Sequence, residues 1–257
     1  FYIFLPAILF QSVRKVEFTF AYLFFPVIIL ICQLLVSFLV SRFLKNKDMD
    51  EGRKRIIVGF FGAANIGFLY PFYISIFGEA DVWRLGLLDF GNSIFIYAVM
   101  YSYIVGIKKK RDIVQKIFLS PGIIALILSL VVNLLHINIY APIDIFISQL
   151  ANLTGFAMLF SLGIFFNFKM SEIKESGKII LVKEVFKIIL LVFVYYLNIG
   201  YYTKAAFMMV IVAPGASSIL NFSLFAKSDT KFASKLISLS MIIAFIEIPI
   251  IVYLLQK

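Results

Sequence analysis

The chain is a succession of apolar runs, each close to the ~20 residues that a helix needs to cross a bilayer. A partial run occupies about 1–13, and further runs occupy about 20–41, 56–77, 83–107, 117–137, 142–167, 179–198, 201–226 and 232–255. The connections between them are short, as between helices that pack antiparallel. No room is left for a sizeable soluble catalytic or ligand domain. Composition agrees: 62% of the 257 residues are hydrophobic and 15% are charged, against roughly half and a quarter in a soluble domain. The expected fold class is an all-α membrane protein with about nine transmembrane helices in this sequence.

Charge sets the expected topology. The net charge of +10 would suggest nucleic acid on a soluble protein, but here the basic residues gather in alternate connections. Arg42, Lys45, Lys47, Arg53, Lys54 and Arg55 share one; Lys108 to Arg111 and Lys116 share another; Lys169, Lys174, Lys178, Lys183 and Lys187 surround a third; Lys227, Lys231 and Lys235 mark the fourth. These hold nineteen, and the intervening connections and the end hold five: Arg14, Lys15, Arg84, Lys204 and Lys257. Basic loops face the cytoplasm, which puts the C-terminus outside the cell membrane and makes nucleic acid an unneeded partner. Lys183 and Lys187 are read as a cytoplasmic helix end whose ammonium groups reach the headgroups, with Glu184 in range of Lys187.

The basic stretch at 108–116 divides the chain. On this reading 1–107 is a first repeat of helices two to five, with its first helix upstream of Phe1, and 117–257 is a second repeat of helices six to ten. Five is odd, so the second repeat inserts upside down. Inverted repeats of this kind are a recurrent plan of secondary transporters.

Two runs carry residues that lipid does not favour. Gly59-Phe60-Phe61-Gly62-Ala63-Ala64-Asn65-Ile66-Gly67-Phe68-Leu69-Tyr70-Pro71 lies within 56–77, and Val212-Ala213-Pro214-Gly215-Ala216-Ser217-Ser218-Ile219-Leu220-Asn221 lies within 201–226. Proline and glycine weaken a helix, and backbone freed at membrane depth must be satisfied by protein or water. Both segments are therefore expected to break near the bilayer centre, in corresponding places and opposite directions. Restarted half-helices present free N–H groups and partial positive charge, which suits an anion such as a carboxylate. Asn65, Gly67, Pro71, Pro214, Gly215, Ser217, Ser218 and Asn221 form the expected substrate site. The blander reading is that the small residues allow close packing and the prolines make kinks.

Acids inside apolar runs are the next candidates. Asp89, with Asn92 beside it, and Glu247 are expected to couple an ion, leaving H+ and Na+ both open. Asp144 reads as a helix-start residue. The single cysteine, Cys32, and single histidine, His136, exclude a disulfide framework or a two-histidine metal motif; His136 reads as a wetted residue at a helix end. No phosphate-binding glycine loop is present, so no ATP-driven pump is expected.

The run Ala63 to Pro71, followed by Phe77-Gly78-Glu79 and Asp89-Phe90-Gly91-Asn92, resembles the auxin efflux carrier family, which includes plant auxin exporters and bacterial permeases for malate-type dicarboxylates. Ala213-Pro214-Gly215-Ala216-Ser217, Ala226-Lys227-Ser228-Asp229, Ser238-Leu239-Ser240 and Ile248-Pro249 resemble its last two helices. Ser120 to Ala125 resembles the start of its sixth helix, and Leu5-Pro6-Ala7-Ile8-Leu9 its second. The resemblance implies ten helices in two inverted repeats, the fourth and ninth broken and crossing, and gradient-driven or potential-driven transport of organic anions. Two features depart from the pattern: Leu69-Tyr70-Pro71 is one residue shorter, and Gln33 is the main polar side chain of the third helix.

The leading expectation is thus a permease for a small organic anion, working by alternating access in the cell membrane, with no bound cofactor; a homodimer is left open. A sodium-coupled carrier of the bile-acid symporter kind is the alternative. An intramembrane enzyme, with Asp89 and Glu247 paired, and a non-transporting receptor are the other classes.

Overall fold

The computed structural model describes residues 3–15, 19–106, 121–154, 156–157, 160 and 173–256, and every regular element among them is a helix. The basic stretch 108–116, Ser120, Lys169 and the far part of the run 142–167 lie outside the described residues. In chain order the helices are α1 Phe4–Arg14, α2 Phe24–Leu44, α3 Glu51–Gly62 and α4 Ile66–Phe77. Then come α5 Val82–Val105, α6 Pro121–Leu134, α7 Ala141–Asn152 and α8 Ile173–Tyr196. Last are α9 Tyr201–Val212, α10 Ser218–Phe225 and α11 Thr230–Leu255. A short 3-10 turn, Phe20–Leu23, leads into α2, and α5 passes through a π-helical stretch at Phe95–Met100.

Among the described residues three helical stretches, Ala21–Leu44, Val82–Val105 and Thr230–Leu255, are long and apolar enough to cross a membrane. The surface reverses the usual soluble pattern. On α2 the buried positions include Gln33 and Ser37, while Ile28, Ile31, Leu35, Phe38 and Leu39 are exposed. On α8 the apolar Leu181, Val185, Ile188 and Val192 face out, and Lys183 and Lys187 are buried. Two apolar clusters fill the inside, one around Leu69, Trp83 and Met209, the other around Phe60, Phe95 and Leu236.

Local chemistry fixes several helix ends. Asp50 caps α3 by accepting from Arg53 N at 3.0 Å, and Asp229 caps α11 by accepting from Phe232 N at 3.0 Å. Side-chain oxygens there satisfy donors that a helix start leaves open. Asp144 lies in the first turn of α7, as its sequence position predicts, and pairs with Arg14 at the end of α1. His136 is exposed just after α6. Arg53 pairs with Asp229 at 2.7 Å, which brings the basic 42–55 connection beside the basic 227–235 turn at one end of the molecule.

The packing is interlocked. Helix α1 packs on α6 and α7, whereas α3, α4 and α5 pack with α9, α10 and α11. Helix α1 also meets α5, which forms a seam between the two groups.

Candidate functional site

Both interruptions expected from the sequence are present, and they meet. Helix α3 ends at Gly62 and α4 begins at Ile66; α9 ends at Val212 and α10 begins at Ser218. Ala63 is extended after α3, and Ala64 and Gly215 form an isolated antiparallel bridge. Asn65 N donates to Pro214 O at 2.9 Å, and Ala216 N donates to Ala63 O at 3.1 Å. Each break therefore satisfies part of the other's freed backbone.

The side chains around the bridge complete the accounting. Asn92 of α5 holds the Ala64 peptide at both ends: Oδ1 accepts from Ala64 N at 3.2 Å, and Nδ2 donates to Ala64 O at 3.0 Å. Its Oδ1 also accepts from Gln33 Nε2 at 2.6 Å, and its Nδ2 donates to Asp89 Oδ1 at 3.3 Å. A carboxamide offers two donors and two lone pairs, so Asn92 is fully engaged. In this geometry its amide holds the broken strand. On the other side, Gly215 N donates to the buried Ser240 Oγ of α11 at 3.1 Å. The tight approach needs glycine there, since a Cβ on Gly215 would sit 2.4 Å from Phe60 Cδ2.

Two half-helices start at this crossing. Asn65 caps α4, its Oδ1 accepting from Phe68 N at 3.3 Å, while its Nδ2 donates to Ser217 Oγ at 2.9 Å, immediately before α10. Asn65 is half-buried and Ser217 is exposed. Ser218 Oγ is buried with no hydrogen-bond partner among the described residues. Gly67 is half-buried in the first turn of α4.

Two of the expected site residues stand apart. Pro71 does not make the break: it is buried inside α4, which continues past it, and its carbonyl accepts from Ser75 Oγ at 2.7 Å. It stands five residues beyond Ile66, so the missing N–H removes one bond near the helix start. The chain opens instead at Ala63–Asn65, where a partner strand takes up the peptides. Asn221 is exposed in α10 and makes none of the bridging bonds.

The acids divide between two clusters. Asp89 accepts from Tyr70 Oη at 3.4 Å and from Asn92, and it lines a cavity of about 190 Å3 at the seam with Leu9, Ser93 and Leu126. Glu247 accepts from Lys187 Nζ at 2.8 Å, and Glu184 Oε1 lies 3.0 Å from the same ammonium. Asp89 and Glu247 thus have separate hydrogen-bond partners.

The lysines of α8 are a correction. They do not reach out to headgroups: Lys183 is 7% exposed and Lys187 3%. Lys183 lies ten residues into α8, about 15 Å at helical rise, and its Nζ donates to Phe60 O at 2.6 Å, 4.0 Å from the centroid of the Phe60 ring. Sequence reading missed Gln33, Ser240 and Lys183 as parts of the crossing. For Lys183 a signal was present, since the apolar run Ile179–Val182 precedes it. No protein-family model matches this chain, and no curated protein matches it.

Proposed function

We propose that the chain is a secondary transporter of the cell membrane that moves a small organic anion, such as a carboxylate, by alternating access. The observation that carries this reading is the meeting of two half-helix N-termini, joined by the Asn65–Ser217 hydrogen bond of 2.9 Å. Two such ends add their partial positive charges and leave N–H groups for an anion. Asn65 Nδ2, the Ser217 hydroxyl and the partnerless Ser218 hydroxyl supply neutral hydrogen bonds to it. The resemblance to the auxin efflux carriers points to the same substrate class and to about nine spans in this stretch.

In this reading residues 1–107 and 117–257 are inverted repeats joined by the basic linker, with the basic connections cytoplasmic and the C-terminus outside. The crossing favours it, because each break is held by a polar side chain of the following long helix: Ala64 by Asn92 of α5, and Gly215 by Ser240 of α11. The seam between α1 and α5 is where one group of helices moves against the other. Asp89 couples an ion to that movement, because its carboxylate reaches the Ala64 strand through Asn92 alone.

Counterflow in proteoliposomes with a panel of carboxylates, varying pH and sodium separately, tests the reading. Asn65→Ala and Pro214→Ala are expected to abolish counterflow of the preferred anion. Unchanged flux in both variants removes the site, and ligand binding without flux in the wild type makes the chain a receptor.

A further inference from the structure

The break in α3 leaves a carbonyl that needs a donor. In an unbroken helix Phe60 O would accept from Ala64 N, but Ala64 N turns to Asn92 Oδ1 at 3.2 Å. Phe60 is 1% exposed, so water does not make good the loss. Lys183 does, donating to Phe60 O at 2.6 Å. The charge matters as well as the N–H, because a helix C-terminus carries partial negative charge and favours a cation.

The surroundings fit a cation committed to this place. Lys187 takes both nearby carboxylates, Glu184 at 3.0 Å and Glu247 at 2.8 Å. Lys183 therefore has no carboxylate within ion-pair distance among the described residues, yet the four groups together are neutral when all are ionised. Such balance makes a buried ammonium bearable. Its immediate contacts are a backbone carbonyl and the face of an aromatic ring, both favourable to positive charge. The edge of the same ring presses on Gly215, where an added Cβ would lie 2.4 Å from Cδ2. One side chain of α8 thus bears on both broken strands.

We propose that Lys183 is the resident cation of the crossing. It is a positioning residue whose ammonium closes the open C-terminal end of α3 and, through the Phe60 ring, seats the Gly215 strand. Carbonyl oxygen is the ligand that hard metal cations take, and here the lysine occupies that role, so the crossing is assembled without a bound metal ion. The inference rests on the crossing alone and does not depend on transport.

The test is thermal unfolding of the purified full chain in detergent, followed by the fluorescence of Trp83, the single tryptophan. In Asp89→Asn, which lacks the carboxylate proposed to couple an ion, the midpoint is expected to be the same in sodium chloride and in choline chloride. Lys183→Ala is expected to lower the wild-type midpoint by several degrees, Lys183→Met likewise, and Lys183→Arg by less, because it keeps a charged donor. Methylammonium, which fits the space left in Lys183→Ala and carries N–H groups, is expected to raise that variant's midpoint selectively; tetramethylammonium, equally charged without N–H, is expected not to. Should neither Lys183→Ala nor Lys183→Met fold while Lys183→Arg does, the proposal is supported. An Asp89→Asn midpoint higher in sodium than in choline overturns it. So does a Lys183→Ala midpoint equal to wild type, or one that methylammonium does not raise.

Discussion

Truncating Asn92 to alanine removes the clamp on the Ala64 peptide. Its carboxamide makes bonds of 3.2 and 3.0 Å to the two ends of that peptide, 2.6 Å to Gln33 and 3.3 Å to Asp89. A hydrogen bond contributes about 0.5–1.5 kcal/mol net, and a buried group left without its partner costs about 1–3 kcal/mol. Asn92 is 2% exposed, while Ala64 is half-buried, so water recovers part of the loss on the strand side. The lower end of the sum applies, roughly 3 kcal/mol. At roughly 2–4 °C per kcal/mol for a chain of this size, the midpoint falls by roughly 6–12 °C. Trp83 fluorescence during heating in detergent measures it. Asn92→Asp is expected to do no better, because it loses the donor to Ala64 O and sets a second carboxylate against Asp89. Asn221→Ala, at an exposed position outside the bridge, is the control and stays within about 0.5 kcal/mol of wild type. If Asn92→Ala does the same, Asn92 does not hold the broken strand, and the reasoning about the crossing fails with it.

The other expectations are more local. Gly215→Ala brings a methyl to 2.4 Å from the Phe60 ring, and overpacking of this kind lowers stability by about 1–3 kcal/mol, readable in the same unfolding experiment. The Phe232 N–H that donates to Asp229, aided by the Arg53 guanidinium, holds the Asp229 carboxyl below the usual carboxylate range. A lowered folded value means its stabilisation is complete above about pH 4 and lost on further acidification, so the gap in midpoint between wild type and Asp229→Asn should narrow as pH falls through that range; a constant gap refutes the linkage. Asp89→Asn removes the seam's carboxylate charge and is expected to abolish pH or sodium dependence of flux in proteoliposomes before it abolishes carboxylate counterflow. In a Cys32→Ser background, Lys47→Cys should react with an impermeant maleimide from the cytoplasmic side only, and Ile137→Cys from the outer side only; the reverse pattern inverts the assigned orientation.

How much of this was legible in the sequence follows from the physics of each residue. Long apolar runs force helices, and small residues clustered inside two of them mark where those helices open, so the breaks at Ala63–Asn65 and Ala213–Ser217 could be read directly. Proline was a poorer guide than its covalent chemistry suggests. Pro71 has the same missing N–H as Pro214, yet α4 runs through it, because its unmet acceptor lies in a first turn already anchored by Asn65 and the Pro214 carbonyl. What ends a helix here is a competing partner for several consecutive peptides, and partners are long-range facts. Ser240 illustrates this: its hydroxyl donates to Ile237 O at 2.8 Å, an ordinary local bond of a helical serine, and only the fold adds Gly215 N as a second contact. Asn92 was singled out for its place beside Asp89, and only the fold shows that its carboxamide binds the Ala64 backbone. The lysines were misplaced by a statistical rule about loops. That rule weighs basic residues by their position along the chain, whereas Lys183 is held by a carbonyl that exists as an acceptor only because α3, more than a hundred residues earlier, stops short.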